Sequence, residues 1–213
     1  MKRKILILSV LAILVAILAA NTLAYFTADT KAHNVITTGD VAIQLNEWAD
    51  EARTKKFESP VGVMPGTEVT KIVEVENVGT GSAWVRVELS IEVWMGDEYE
   101  EELPAEPVHL MYGDTAGCNT TDWTYQDDGY YYYNKPLAPG ETTEPLFTSV
   151  AFDEQMGNKY QNSTAHVDVN AYAVQSANNG EDVLSANGWP LPTPIPKPTL
   201  APVPVTPEST ENP

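Results

Sequence analysis

The chain has 213 residues, and its 30 acidic against 12 basic side chains leave a formal net charge of -18 at neutral pH. Such a surface repels phosphate backbones and excludes a nucleic-acid partner. A hydrophobic share of 43% excludes wholesale disorder, and the single cysteine, Cys118, excludes an internal disulfide framework.

Lys2, Arg3 and Lys4 stand immediately before an apolar run of 16 residues, Ile5 to Ala20, interrupted only by Ser9. A bilayer core asks for about 20 apolar residues. The shorter run therefore reads as a secretory signal over 1–24, with Thr22 and Ala24 as the small residues a signal peptidase reads and Tyr25 as the mature start. Left uncleaved, the same run would anchor the chain in a membrane. Cleavage removes three of the basic residues and no acid, so the product would carry 30 acids against nine bases, a balance of -21. The following segment, 25–38, is built mainly of Thr, Ala, Asp and Asn, with Tyr25, Phe26, Val35 and Ile36 as its large apolar groups.

Strict alternation marks the body as strands. Val41, Ile43 and Leu45 alternate within 40–45, and Val69, Val73 and Val75 do so less strictly within 69–75. The best signal is Ala83 to Val93, where Val85, Val87, Leu89, Ile91 and Val93 alternate with Arg86, Glu88, Ser90 and Glu92. A period of two buries one face and wets the other. Further strands are expected at 108–111, 123–126, 130–133 and 146–152. The last, 165–173, sets Ala165, Val167, Val169, Ala171 and Ala173 against His166, Asp168, Asn170 and Tyr172. Turn chemistry separates them at Met64-Pro65-Gly66, at 77–81, at Asp127-Asp128-Gly129 and at Ala138-Pro139-Gly140. Only 47–56 and 153–161 are compatible with a helical turn. Short strands at this spacing, with no long crossover, predict one all-β domain over 25–188, an antiparallel jelly-roll or Ig-like sandwich. From 189 to the end the composition changes, with nine prolines between Pro190 and Pro213. Their fixed φ angles favour an extended rod reaching roughly 75 Å at about 3.1 Å per residue, a stalk or spacer, or else a solvated disordered tail.

Thr22-Leu23-Ala24-Tyr25-Phe26-Thr27, followed by Asn34 through Leu45, resembles the amino-terminal signature of the TasA/camelysin family of Gram-positive secreted proteins. Pro65-Gly66, Val73 to Gly79, Ala83 to Val87 and Val169 to Gln175 are similar to later family segments. Residues 94–163 carry no such likeness, Ala28 stands where an acid is common, and Ile36 where Phe is common. The resemblance implies processing by a SipW-type signal peptidase and a jelly-roll-like sandwich that self-associates into fibres of a biofilm matrix or cell surface. Residues 25–38 of one subunit would add as a strand to its neighbour, with main-chain hydrogen bonds giving affinity and side-chain pockets giving register. Such head-to-tail contacts do not close, so they build filaments. The alternative is that this segment is simply the first strand of its own sandwich. Other matrix proteins and cell-wall polysaccharide are further expected partners.

The family also implies an alternative to the structural reading, a camelysin-like extracellular metallo-endopeptidase, whose site must be sought. His33, His109 and His166 lie far apart in sequence with no His-Glu-x-x-His, so no catalytic residue, metal or cofactor is expected. The acidic run 97–102 lacks the alternating ligands and central glycine of a calcium loop. Cys118 would need a base, and His109 is the nearest in sequence. Trp123, Tyr125 and Tyr130 to Tyr133 form an aromatic hairpin, in which alternation puts Tyr131 and Tyr133 on one face and Tyr130 and Tyr132 on the other. Tyr130 and Tyr132, with Trp84 and Trp94 on the polar face of the best strand, are the candidates for a glycan-stacking row or a subunit interface. A glycan-binding surface adhesin is thus a further alternative to the structural reading.

Overall fold

In the computed structural model the described residues are 26–29, 32–33, 41–59, 61–96 and 101–191; for 26–29, 32–33 and 61–63 only the backbone is described. The strands are β1 (Phe26–Asp29), β2 (Ala32–His33), β3 (Ile43–Trp48), β4 (Val61–Val63), β5 (Glu68–Asn77), β6 (Ala83–Met95) and β7 (Glu101–Leu103). They continue as β8 (Val108–Tyr112), β9 (Thr115–Ala116), β10 (Trp123–Tyr125), β11 (Tyr130–Tyr133), β12 (Phe147–Phe152) and β13 (Ser163–Gln175).

These strands form an all-β sandwich of two sheets. One runs β10-β11-β6-β13-β1-β4, with β2 also on β13 and β7 also on β6; the other runs β3-β5-β12-β8-β9. Its spine is the pair β6 and β13, antiparallel along their whole length from Ala83↔Gln175 to Met95↔Ser163. The predicted alternation is the reason. Val85, Val87 and Val93 of β6 and Ala165, Val167, Val169, Ala171 and Ala173 of β13 share one buried cluster with Ile43, Leu45, Val73, Val75, Phe147 and Val150 of the second sheet. Each Val, Leu, Ile or Phe among them contributes about 1.5–3 kcal/mol on burial, and each Ala less.

The expected hairpin is present, with Trp123↔Tyr133 and Tyr125↔Tyr131 in register around a turn in which Gly129 takes a φ of +88°. That left-handed value is open to glycine at no steric cost. One expectation fails locally. Within 47–56 there is no helix: Glu47 and Trp48 end β3, and Trp48 then bridges Lys56 in antiparallel fashion. The carboxylate of Asp50 accepts the backbone N–H groups of Thr54 and Lys55, so a side chain builds the turn and outcompetes a helical one. Within 153–161 the helical turn is present, as the single 3-10 turn Asn158–Tyr160. The other departure is parallel pairing, because β1 and β2 both run in the direction of β13. Almost the whole chain lies between them, so no hairpin constrains their sense.

Candidate assembly site

The amino-terminal strand occupies a slot. β1 pairs in parallel with β13 through Thr27↔Thr164, Ala28↔Ala165 and Asp29↔His166, and antiparallel with β4 on its other side. β2 resumes on β13 at Ala32↔Val169 and His33↔Asn170, with the same offset between partners as β1. The described pairs of β1 and β2 thus share one register on β13. Of the predicted donor residues, Phe26 is placed in β1; Tyr25, Val35 and Ile36 lie outside the described residues, as do the cleavage residues Thr22 and Ala24.

Beside Val167 of β13 lies a buried charge. Lys71 of β5 is 0% exposed, and its Nζ donates to the Val167 carbonyl oxygen at 3.2 Å. Glu47 of β3, a strand in contact with both β2 and β13, brings its Oε1 to 2.8 Å from the same ammonium. That contact is one of charge, since Glu47 Oε1 has no aligned hydrogen-bond donor. The Phe57 ring centre lies 4.8 Å from Lys71 Nζ on another side. Lys71 is the residue missing from the alternation of Val69, Val73 and Val75: a charge on the apolar parity of a strand was the signal sequence reading passed over.

A second cluster covers the outer face of β6, β11 and β13. Trp84, Tyr130, Tyr132, Tyr172, Val174, Val183 and Ala186 are buried together, with Trp189 packed against them. At its centre Arg86, 8% exposed, places Cζ 3.8 Å from the Tyr130 ring centre, 4.8 Å from that of Trp189 and 5.5 Å from that of Tyr172. Its guanidinium donates to Tyr132 Oη at 3.3 Å and to the Pro190 carbonyl at 3.2 Å, and its Nε has no acceptor. The acids nearby act at one remove: the Tyr132 hydroxyl donates to Asp128 at 2.6 Å and the Tyr172 hydroxyl to Glu88 at 3.1 Å. Burial pushes both Tyr130 and Tyr132 above the usual phenol range.

The cover is the segment after β13. Trp84 Nε1 donates to the Asn179 carbonyl, a capping box joins Asp182 to Ser185 ahead of the 3-10 turn Val183–Ser185, and Trp189 stacks edge-on against Tyr132. This strap corrects the expectation of an open aromatic row. Trp84, Tyr130 and Tyr132 are each less than a tenth exposed, because the chain folds back over that face, and Trp94, outside that cluster, is 4% exposed. The exposed ring of the hairpin is Tyr125, at 57%, packed at a tilt against Tyr131 with ring centres 4.8 Å apart. Trp189 and Pro190 thus belong to the packed body, past the expected boundary at 188, while residues from 192 onward lie outside the described residues.

The other candidates stay apart. Trp94 donates its indole N–H to Glu92 on the outer face of β6. His109 is exposed on β8 and His166 buried on β13, and among the described residues no group of three or more His, Cys, Asp or Glu side chains is placed to hold a metal ion. Of the acidic run, 97–100 lie outside the described residues, and Glu101 and Glu102 are exposed on β7. Burial pushes the Cys118 thiol up to about 11, against a hydrogen bond with Tyr131 that pulls it down, so the sulfur is protonated at neutral pH. On the second sheet, an open groove of about 350 Å³ is lined by Glu51, Arg53, Glu68, Asp114 and Ser149 among others. Its cation is committed, as Arg53 Nε donates to both carboxylate oxygens of Glu74 at 3.2 and 2.9 Å.

Comparison with family models, with curated proteins and with solved structures finds no match for this chain.

Proposed function

We propose that this protein is a secreted structural subunit of a biofilm matrix or cell surface, of the TasA/camelysin kind, that assembles into fibres by donating its amino-terminal strand to the next subunit. One observation supports the reading: β1 lies between β13 and β4, so a slot in the large sheet is filled by the segment expected to become the new amino terminus. Withdrawing β1 would strand backbone groups on two strands at once, at a net loss of about 0.5–1.5 kcal/mol for each hydrogen bond. The equivalent segment of another copy restores the same bonds, so exchange changes the partner and not the pairing. Held in place, the segment stays on its own sandwich; exchanged, it links subunits head to tail. Cleavage by a SipW-type signal peptidase before Tyr25 would be the switch, since a segment tethered in a membrane cannot enter a neighbour.

Electron microscopy of chains beginning at Tyr25 and at Gly39 tests this. The longer chain is expected to form filaments and the shorter chain none; if neither does, or both do equally, strand donation is not the mechanism. A balance of -21 after processing opposes association, so protonating carboxylates should raise filament yield as the pH falls from 7 to 4. A flat yield over that range would remove charge repulsion as the brake.

A further inference from the structure

We infer that Asn187-Gly188 is a self-modification site that opens the carboxy-terminal strap: cyclisation at this bond, with loss of ammonia, turns Asn187 into an isoaspartyl link and detaches Trp189 and Pro190 from the aromatic face.

The chain holds two Asn-Gly bonds, Asn179-Gly180 and Asn187-Gly188, and both lie in the strap. An asparagine before glycine is reactive because no Cβ on the following residue hinders the approach of its backbone nitrogen to the side-chain carbonyl carbon. The glycine nitrogen gives its proton to hydroxide and bonds to Cγ, the Cγ–Nδ2 bond breaks, and ammonia leaves. Water then opens the succinimide ring at either carbonyl. Opening at one restores the main chain with an aspartate; opening at the other routes the main chain through Cβ and Cγ, one methylene longer, and leaves a free α-carboxylate. Water is the sole co-reactant.

The two bonds stand in different surroundings. Asn179 is half-buried and its amide is engaged at both ends: Nδ2 donates to the carbonyls of Gln175 and Asn187, each at 3.0 Å, and Oδ1 accepts the Asn187 backbone N–H at 2.9 Å. Gly180 is packed against the capping box, since a Cβ there would lie 2.6 Å from Ser185 Oγ. Cyclisation at Asn179 thus has to break three bonds first. Asn187 is exposed, its amide gives one bond, to the Ser185 carbonyl at 3.1 Å, and beyond the chain neighbours nothing stands within 4 Å of a Cβ position on Gly188. Asn187 therefore reacts first.

Its place gives the reaction a consequence. Trp189 and Pro190, the two residues after the bond, grip the sheet through the edge-on contact with Tyr132 and the Arg86 bond to the Pro190 carbonyl. An added methylene and carboxylate shift both from those partners. The Asn179 amide clasps the backbone N–H and carbonyl of Asn187, so rerouting the chain there also undoes the clasp and leaves Asn179 free to react second. Opening the strap bares Trp84, Tyr130 and Tyr132 around Arg86.

Peptide mapping by mass spectrometry of the full chain, incubated at pH 8, tests this. A one-dalton gain with isoaspartate is expected at Asn187, at least about tenfold faster than at Asn179, and the gain at Asn179 should follow it. Protease cleavage within 176–191 should rise several-fold in step with isoaspartate. Asn187→Gln, whose longer side chain cyclises poorly, should hold cleavage at its starting rate and slow the change at Asn179. The inference is overturned by an Asn187 that stays intact while the urea-unfolded chain converts, by conversion of Asn179 first, or by isoaspartate that accumulates with no rise in cleavage.

Discussion

Lys71 and Arg86 are both buried cations on strands of this sandwich, yet they are held in opposite ways. Lys71 lies inside, between the sheets, with a carboxylate at 2.8 Å and a backbone carbonyl at 3.2 Å. Arg86 lies outside the large sheet beneath the strap, held by tyrosine and tryptophan rings, a hydroxyl and the Pro190 carbonyl, with its acids reached only through Tyr132 and Tyr172. The difference follows from the ions. A compact, strongly hydrated ammonium needs oxygen ligands and a counter-charge when dehydrated, whereas a planar, delocalised guanidinium is weakly hydrated and stacks on aromatic faces. The first ties one sheet to the other where the amino-terminal strand lies; the second ties the carboxy-terminal strap to the sheet where the proline-rich segment begins.

Breaking the ion pair should have the largest effect. Glu47→Ala leaves Lys71 buried without its counter-charge and is expected to cost about 3–5 kcal/mol in a denaturant titration, while Lys71→Met with Glu47→Met should be close to neutral. A single-variant loss below about 1 kcal/mol would show that the carboxylate does not hold the ammonium. Arg86→Met should cost less, about 2 kcal/mol, because it forfeits stacking and two hydrogen bonds but leaves no carboxylate in contact unpaired. Arg86→Lys should lose nearly as much, since an ammonium cannot reproduce the stacked fork; a Lys variant as stable as the parent would make the two sites alike after all.

The strap can be loosened by itself. Gly180 has a φ of +84°, and a Cβ there would lie 2.6 Å from Ser185 Oγ and 2.9 Å from the Asp182 carbonyl oxygen. Gly180→Ala should therefore store roughly 1–3 kcal/mol of strain in the strap, speeding amide exchange at Ser185 and proteolysis within 176–191 while the denaturation midpoint of the sandwich moves little. A midpoint that falls as far as in Glu47→Ala would mean that strap and sandwich unfold together. Cys118 supplies the smallest effect, burial with no charge to hold. Its thiol is raised from 9.0 to about 11, so both states keep the proton below pH 9, and above that the unfolded chain releases it first and stability declines until pH 11. Alkylation of the native chain at pH 8 should be far slower than of the denatured chain, and equal rates would place the thiol in solvent.

Much of the scaffold was legible because strand faces are a local property. Val85 to Val93 and Ala165 to Ala173 announced β6 and β13 by parity alone, and Asp127-Asp128-Gly129 announced the hairpin between β10 and β11. The candidate site was legible only in fragments. Tyr130 and Tyr132 were rightly put on one face, but nothing near them in sequence says that Val183, Ala186 and Trp189 return to cover it, since that segment has no apolar period of its own. Arg86 and Tyr172 read as ordinary polar positions, and Lys71 read as a gap in an otherwise regular strand.

What the sequence determined by itself, then, was the period of two, the turns between strands, the acidic surface and the single unpaired cysteine, each set by neighbours within a few residues. Tertiary structure alone decided that the first strand runs parallel to the last, that a lysine 96 residues from Val167 takes its carbonyl, and that an arginine 104 residues from Pro190 holds the strap. Those contacts join groups whose separation along the chain carries no pattern, and they exist because a buried donor or charge must find its partner wherever the packed sheets bring one within reach.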